Sequence, residues 1–196
     1  MNINYTEIKK QDLSHLIKFI SRPCHKIAIN APAGNEHYKL LAYLSKQTHN
    51  GFIVELGTHS GTSCVALSDN LTNSIRTYDI RDVFTATLPP NVTRVIGNIF
   101  TLNEQTFLLR ANWIFLDTAH TGEFEWEVYC YLRDNNYNGY IVYDDIHLTP
   151  AMIAFWNKIP ENIKYDITEV GQHYKMYPPA GTGLVDFGGK IKIIHE

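Results

Sequence analysis

The stretch Phe52-Ile-Val-Glu-Leu-Gly-Thr-His-Ser-Gly-Thr-Ser63 reads as a short apolar strand that breaks into a glycine turn and resumes as a helix. Gly57 permits a tight turn, and Gly61 lets backbone amides approach a ligand at the N-terminus of the next helix, where an anionic group is favoured. The spacing is not G-x-G-x-x-G, so a carboxylate suits this turn better than a pyrophosphate.

The same alternation continues on both sides of it. Helical spacing covers 62–71, apolar strands follow at 75–80, 92–96, 113–117 and 139–145, and two closing strands fall at 165–170 and 183–187. Helices are predicted at 123–135, with acidic residues complementing the dipole in its first turn, and at 150–158, with Pro150 at a tolerated position. Upstream, Leu13, Leu16, Ile17 and Ile20 predict a helix over 12–20 capped by Asp12. Residues 21–35 carry Pro23, Pro32 and Gly34 and read as irregular, and a helix follows over 36–47. The connection 81–91, with Pro89-Pro90, leaves room for one short helix at most. Near-continuous apolar strands alternating with helices predict an α/β fold: a doubly wound, mostly parallel seven-stranded sheet with helices on both faces.

Composition narrows the function. A chain of 196 residues suits one domain, and 44% hydrophobic with 19% charged residues places it well outside the disordered range. The net charge is −3 and no run of Lys or Arg exceeds a pair, which argues against a nucleic-acid partner. The start of the chain lacks a basic segment followed by an apolar core, and no apolar run matches a bilayer, so no membrane association is expected. Cys24, Cys64 and Cys130 form no C-x-x-C pair and read as reduced thiols of a cytoplasmic protein, and the sequons at Asn70 and Asn91 read as chance matches.

Ligands of doubly wound sheets bind outside the carboxyl ends of the strands, where the strand order reverses. Here those ends carry Glu55-Leu-Gly57, Asp79, Gly97-Asn98, Asp117 and Asp144-Asp145. Asp79 follows Gly57 by roughly 20 residues, the place of an acid that accepts hydrogen bonds from a ribose diol. Asp117, Asp144 and Asp145 converge, and three such carboxylates either share protons or bind a cation. An oxygen-only site suits Mg²⁺, with Mn²⁺ or Ca²⁺ as alternatives; the plainer reading has Asp144 capping a turn and Asp145 solvated. His120 and His147 stand close after these acids and are candidate general bases, against the plainer reading of histidines satisfying loop carbonyls. His59 reads as packing near the ligand, while His15, His37, His49, His173 and His195 read as ordinary.

Val54-Glu-Leu-Gly-x-x-x-Gly-Thr-Ser63, Tyr78-Asp79, Phe115-Leu-Asp-x-x-His120 and Val142-Tyr-Asp-Asp-Ile146 resemble the class I S-adenosylmethionine-dependent methyltransferases. Within them the chain is most similar, over residues 36–187, to small-molecule and sugar O-methyltransferases related to the macrolide-sugar and catechol groups. The resemblance implies one methyltransferase domain over 1–196, with 1–50 a helical segment covering the substrate and 51–196 the cofactor-binding core. It implies S-adenosylmethionine as cofactor: Glu55 and Gly57 along its methionine, Thr58, His59 and Gly61 in the turn around it, and Thr62 and Ser63 on its carboxylate. Asp79 would hold the ribose, Asn98 would lie near the adenine, and Asp117 would stand at the reacting end. In the catechol-type enzymes an Asp and an acid–amide pair hold Mg²⁺; Asp117 and the acid–acid pair Asp144-Asp145 occupy those places here. The expected reaction is attack of an acceptor hydroxyl on the sulfonium methyl, activated by the metal or by His120 or His147 beside Asp117.

A sugar or nucleotide-sugar hydroxyl is the expected acceptor, with a phenol or catechol next, selected by 21–35 and by 174–183; the group's habit implies a homodimer. Two rivals remain: a non-catalytic nucleoside-binding protein of the same fold, and an NAD-dependent oxidoreductase, against which the missing G-x-G-x-x-G and Tyr-x-x-x-Lys speak.

Overall fold

The computed structural model describes residues 1–32, 37–168 and 180–194. Among the described residues the strands are β1 (Asn2–Asn4), β2 (Phe52–Leu56), β3 (Ser74–Asp79), β4 (Val92–Ile96), β5 (Trp113–Leu116), β6 (Tyr140–Asp144), β7 (Lys164–Asp166), β8 (Thr182–Asp186) and β9 (Lys192–Ile194). The α-helices are α1 (Tyr5–Lys9), α2 (Pro23–Ala28), α3 (Tyr38–Gln47), α4 (Thr62–Leu67), α5 (Thr106–Arg110), α6 (Glu123–Asp134) and α7 (Pro150–Lys158). All seven predicted strands join one sheet of order β4-β3-β2-β5-β6-β8-β7, parallel from β4 to β6 and antiparallel where β8 meets β6 and β7. Strand order reverses at β2, between β3 and β5, so the glycine turn sits at the switch point.

Alternation along the strands feeds two cores. Ile53, Ile75, Trp113, Phe115 and Val142 face α3 and α4, while Val54, Leu56, Ile114, Leu116 and Ile141 face α5, α6 and α7. Residues 1–50 supply Leu13, Leu16, Ile20, Ile29, Leu40, Leu41 and Leu44 to the first core, all essentially removed from solvent. At about 1.5–3 kcal/mol for each buried aliphatic side chain, this segment is an integral layer of the fold.

Local expectations change at several places. Residues 12–20 form a 3₁₀ helix over Ser14–Phe19, because Leu13 and Leu16 are three apart and that spacing lines up on the tighter helix. Leu13, not Asp12, takes the N-cap position, with no side-chain cap; Asp12 stands one residue earlier and accepts from the Ser14 amide at 3.0 Å and hydroxyl at 2.6 Å in a local turn. Within the stretch expected to be irregular, Pro23 takes the first turn of α2, a helix with no buried residue. β1 pairs with β9 in a separate two-stranded parallel ribbon, too short to leave a periodic trace in the sequence. Of the helix expected over 36–47 and the strand expected over 165–170, Glu36, Glu169 and Val170 lie outside the described residues, as do His173, His195 and most of 174–183. Among the described residues no helix is long and apolar enough to cross a membrane.

Candidate functional site

Gly57 ends β2 at φ +100°, and a Cβ there would stand 1.6 Å from the Asp117 carbonyl oxygen. Backbone from the ends of β2 and β5 thus meets with no room for a side chain. Gly61 (φ +93°) carries the turn into α4, with the Phe84 ring of the 81–91 connection lying where its Cβ would point, 2.3 Å away. That connection contains no helix; the Thr85 and Ala86 amides bond the Ser60 carbonyl at 3.2 Å, closing it over the turn.

Beside the turn lies a cavity of about 470 Å³ walled by Gly57, His59, Asp79, Asn98 and Asp117 from the expected set. Its remaining walls, missed in the sequence, include Leu56, Tyr78, Ile80, Ile99, Thr118 and Phe124, most of them apolar. Asp79 is pinned at the rim: its Oδ2 accepts from the His59 amide at 2.6 Å and its Oδ1 from the Arg81 amide at 2.8 Å. Each oxygen retains a lone pair for a ligand hydroxyl.

Glu55, Thr58, Thr62 and Ser63 are buried beneath the turn and do not line that cavity. Glu55 shares the α4-facing side of β2 with Ile53, and the Thr77 hydroxyl donates to its Oε2 while also meeting the Thr58 hydroxyl. Burial pushes the Glu55 carboxyl up to about 7, against the lowering effect of the Ser63 and Thr77 hydroxyls. The raised pKa means the folded chain holds this proton after the unfolded chain has released it. Its contribution to stability is therefore full below pH 4.5 and lost as pH rises to about 7, by ~3 kcal/mol. Relative to wild type, the melting temperature of Glu55→Gln is expected to gain between about pH 5 and about pH 8. A difference between the two that ignores pH would show that Glu55 titrates normally in the folded chain.

The second part of the site is a cluster of acids and histidines at the ends of β5 and β6. His120 Nε2 stands 3.4 Å from Asp117 Oδ1 and 3.4 Å from Asp145 Oδ2, and His37 Nδ1 stands 3.3 Å from Asp144 Oδ2. One ligand atom each from His37, Asp117 and Asp144 lies within 4.8 Å of the others. The sequence reading expected Asp145 in that trio and passed over His37; instead Asp145, at φ +57°, faces His120. Burial pushes Asp145 up to about 6, helped by the neighbouring Asp144 charge, whereas in Asp144 the effects of His37 and His120 outweigh burial and the carboxyl falls below its ordinary value. Burial works to lower His120, but Asp117, Asp145 and Asp144 prevail and raise it.

His147 is directed elsewhere. The turn that starts at Asp145 carries it toward β7, where its Nε2 meets Asp166 Oδ2 at 2.7 Å and its amide bonds the Ala180 carbonyl at 2.7 Å. Backbone strain marks the same edge. Among the described residues six non-glycines have positive φ; three are asparagines, and the other three, His59, His120 and Asp145, all belong to this site. The Thr149 hydroxyl, bonded to the His120 carbonyl at 3.2 Å, holds one of them.

A seven-stranded sheet with one antiparallel strand inserted next to the edge, and a cavity at its switch point, defines the Rossmann-like methyltransferase fold. Solved structures bear this out. The chain is similar to the O-methyltransferase TomG from Streptomyces achromogenes, involved in tomaymycin synthesis and solved with S-adenosylmethionine: TM-score 0.56 and 16% identity over 92% of each chain. It is also similar to a putative O-methyltransferase from Klebsiella pneumoniae, at TM-score 0.50 and 15% identity over 90% of each chain. A third similar structure is the Podospora anserina methyltransferase PaMTH1 bound to S-adenosylhomocysteine, at TM-score 0.50 and 13% identity, covering 76% of this chain and 77% of that one. No family model and no curated protein sequence matches the chain.

Proposed function

We propose that the protein is an S-adenosylmethionine-dependent O-methyltransferase whose acceptor is a small molecule, a sugar or nucleotide sugar, with a divalent metal at the acid cluster. The observation that carries this reading is that Asp117 belongs both to the cavity wall and to the cluster. A methyl donor in the cavity and a hydroxyl at the cluster would meet at that residue. Asp79 suits the ribose diol, and Ile80, Ile99 and Phe124 suit the adenine face. The methionine end falls to Gly57 and His59 at the turn, with Thr58, Gly61, Thr62 and Ser63 shaping it from below.

The carboxylates fit a metal: single oxygens of Asp117 and Asp144 lie within 4.8 Å of each other, with Asp145 next to them. A metal held there would lower the pKa of an acceptor hydroxyl. His120, between Asp117 and Asp145, stands where the hydroxyl proton would be taken up. In the transfer the acceptor oxygen bonds the methyl carbon as the carbon–sulfur bond breaks, and the sulfur keeps the electron pair. Asp117 and Asp145 hold the charged imidazole that results.

Calorimetric titration with S-adenosylmethionine and with NAD tests the cofactor; heat from NAD alone would sink the proposal. Methyl transfer to a panel of nucleotide sugars and catechols, with and without chelator, tests the rest. Loss of turnover on chelation is expected, and turnover indifferent to chelator would remove the metal and leave His120 as the activating group.

A further inference from the structure

We infer that His37 is a ligand of the metal held by Asp117 and Asp144, and that its ring nitrogen makes the site one for a first-row transition metal such as Mn²⁺ rather than for Mg²⁺. This deepens the proposed function and rests on its reading of the acid cluster as a metal site.

Distances set the histidines of this sheet edge, His37 and His120, apart from the ordinary histidine–carboxylate pairs of the chain. His147–Asp166 closes to 2.7 Å and His15–Asp69 to 2.5 Å, hydrogen-bond separations. His37 Nδ1 and Asp144 Oδ2 stand 3.3 Å apart although both side chains are largely buried. Two ligands at right angles around an ion at ~2.1 Å from each are separated by about 3 Å, so the 3.3 Å between these atoms, hydrogen-bonded to each other without an ion, is also a separation that neighbouring ligands of one ion keep. Packing sets the ring: its centroid lies 4.9 Å from that of Phe115 and 4.9 Å, edge-on, from that of Tyr38. Phe115 is two residues before Asp117 on β5, so the strand that delivers one carboxylate also orients the imidazole.

The chemistry follows from the donor set. Mg²⁺ and Ca²⁺ take oxygen ligands, and Mg²⁺ gains little from an imidazole. Mn²⁺ shares the oxygen preference of Mg²⁺ but tolerates an imidazole better, the metals after it in the first row take nitrogen with rising affinity, and two carboxylates supply the charge to balance a dication. The N-terminal layer, which reaches the site at His37, would then select the metal.

Metal-free full-length protein titrated with Mn²⁺ and with Mg²⁺ is the test, with Asp117→Asn as the control for location. Wild type is expected to bind Mn²⁺ at least about tenfold more tightly than Mg²⁺, and His37→Asn to weaken Mn²⁺ about 10–100-fold while leaving Mg²⁺ nearly unchanged. Electron spin-echo spectra of Mn²⁺ on the wild type should show a directly coordinated imidazole nitrogen, a readout that needs no variant to fold. That signal should persist in His120→Asn and vanish in His37→Asn. A wild type that binds metal without a coordinated nitrogen, or that prefers Mg²⁺, overturns the role of His37 and leaves the metal site standing. A wild type that binds neither ion overturns the metal site itself and His37 with it.

Discussion

Gly57→Ala is expected to lower unfolding stability by at least about 3 kcal/mol and to abolish S-adenosylmethionine binding in calorimetry. Two costs combine. At φ +100° an L-residue pays ~1–2 kcal/mol for the left-handed backbone. The new methyl would also sit 1.6 Å from the Asp117 carbonyl oxygen, a backbone atom that cannot swing away like the end of a flexible side chain. Relief would require the end of β2 to move away from its neighbours, β5, whose Asp117 amide bonds the Leu56 carbonyl at 2.9 Å, and β3, whose Tyr78 carbonyl accepts from the Gly57 amide at 2.8 Å. Those bonds form the cavity floor, so the same movement dismantles the binding site. Gly189 provides the comparison: its φ is +63° and nothing lies within 4 Å of its Cβ position. Gly189→Ala should therefore show only the backbone cost, about 1–2 kcal/mol, with cofactor affinity intact. Chemical denaturation midpoints of the two variants would decide, and equal losses would sink the claim of a close approach at Gly57.

Why the Gly57 turn was legible in the sequence, and His37 was not, comes down to distance along the chain. A strand, a glycine turn and a helix within twelve residues leave a period switch and two punctuating glycines. Acids at the carboxyl ends of β3, β5 and β6 inherit their meaning from strand ends that periodicity can locate. His37, at the start of α3, gains its place only through contacts with Phe115 of β5 and Asp144 of β6, and Asp144 is over a hundred residues away. Nothing local distinguishes it from His49 or His15. The apolar wall of the cavity was hidden for the same reason, since Ile99 and Phe124 become neighbours only when α6 crosses the sheet face. Glu55 is an intermediate case. It alternates with Ile53 and so was bound for a buried face, but the hydroxyls that receive it, on Thr77 and Ser63, come from β3 and α4.

Asp117→Asn should lower the turnover number about 10²–10⁴-fold while leaving the fold intact, a separation that few positions in the chain would allow. Asparagine preserves the size of the side chain and one acceptor oxygen, so the cavity keeps its wall and S-adenosylmethionine affinity should move little. What disappears is one negative charge from a group of three. Electrostatics then act in opposite directions on stability and on rate. Asp117 is among the charges that push Asp145 up to about 6, so its removal relieves repulsion and should leave the protein as stable as wild type or slightly more so. The same charge helps hold the imidazolium of His120, 3.4 Å away, and supplies one of the two carboxylates that would bind the metal. Without it the His120 pKa falls and the ascending limb of the turnover–pH profile should shift to lower pH, at a greatly reduced maximum. Steady-state kinetics against melting temperature provides the check. A variant retaining turnover within about threefold of wild type would remove Asp117 from the reaction and reduce the cluster to a structural feature of the sheet edge.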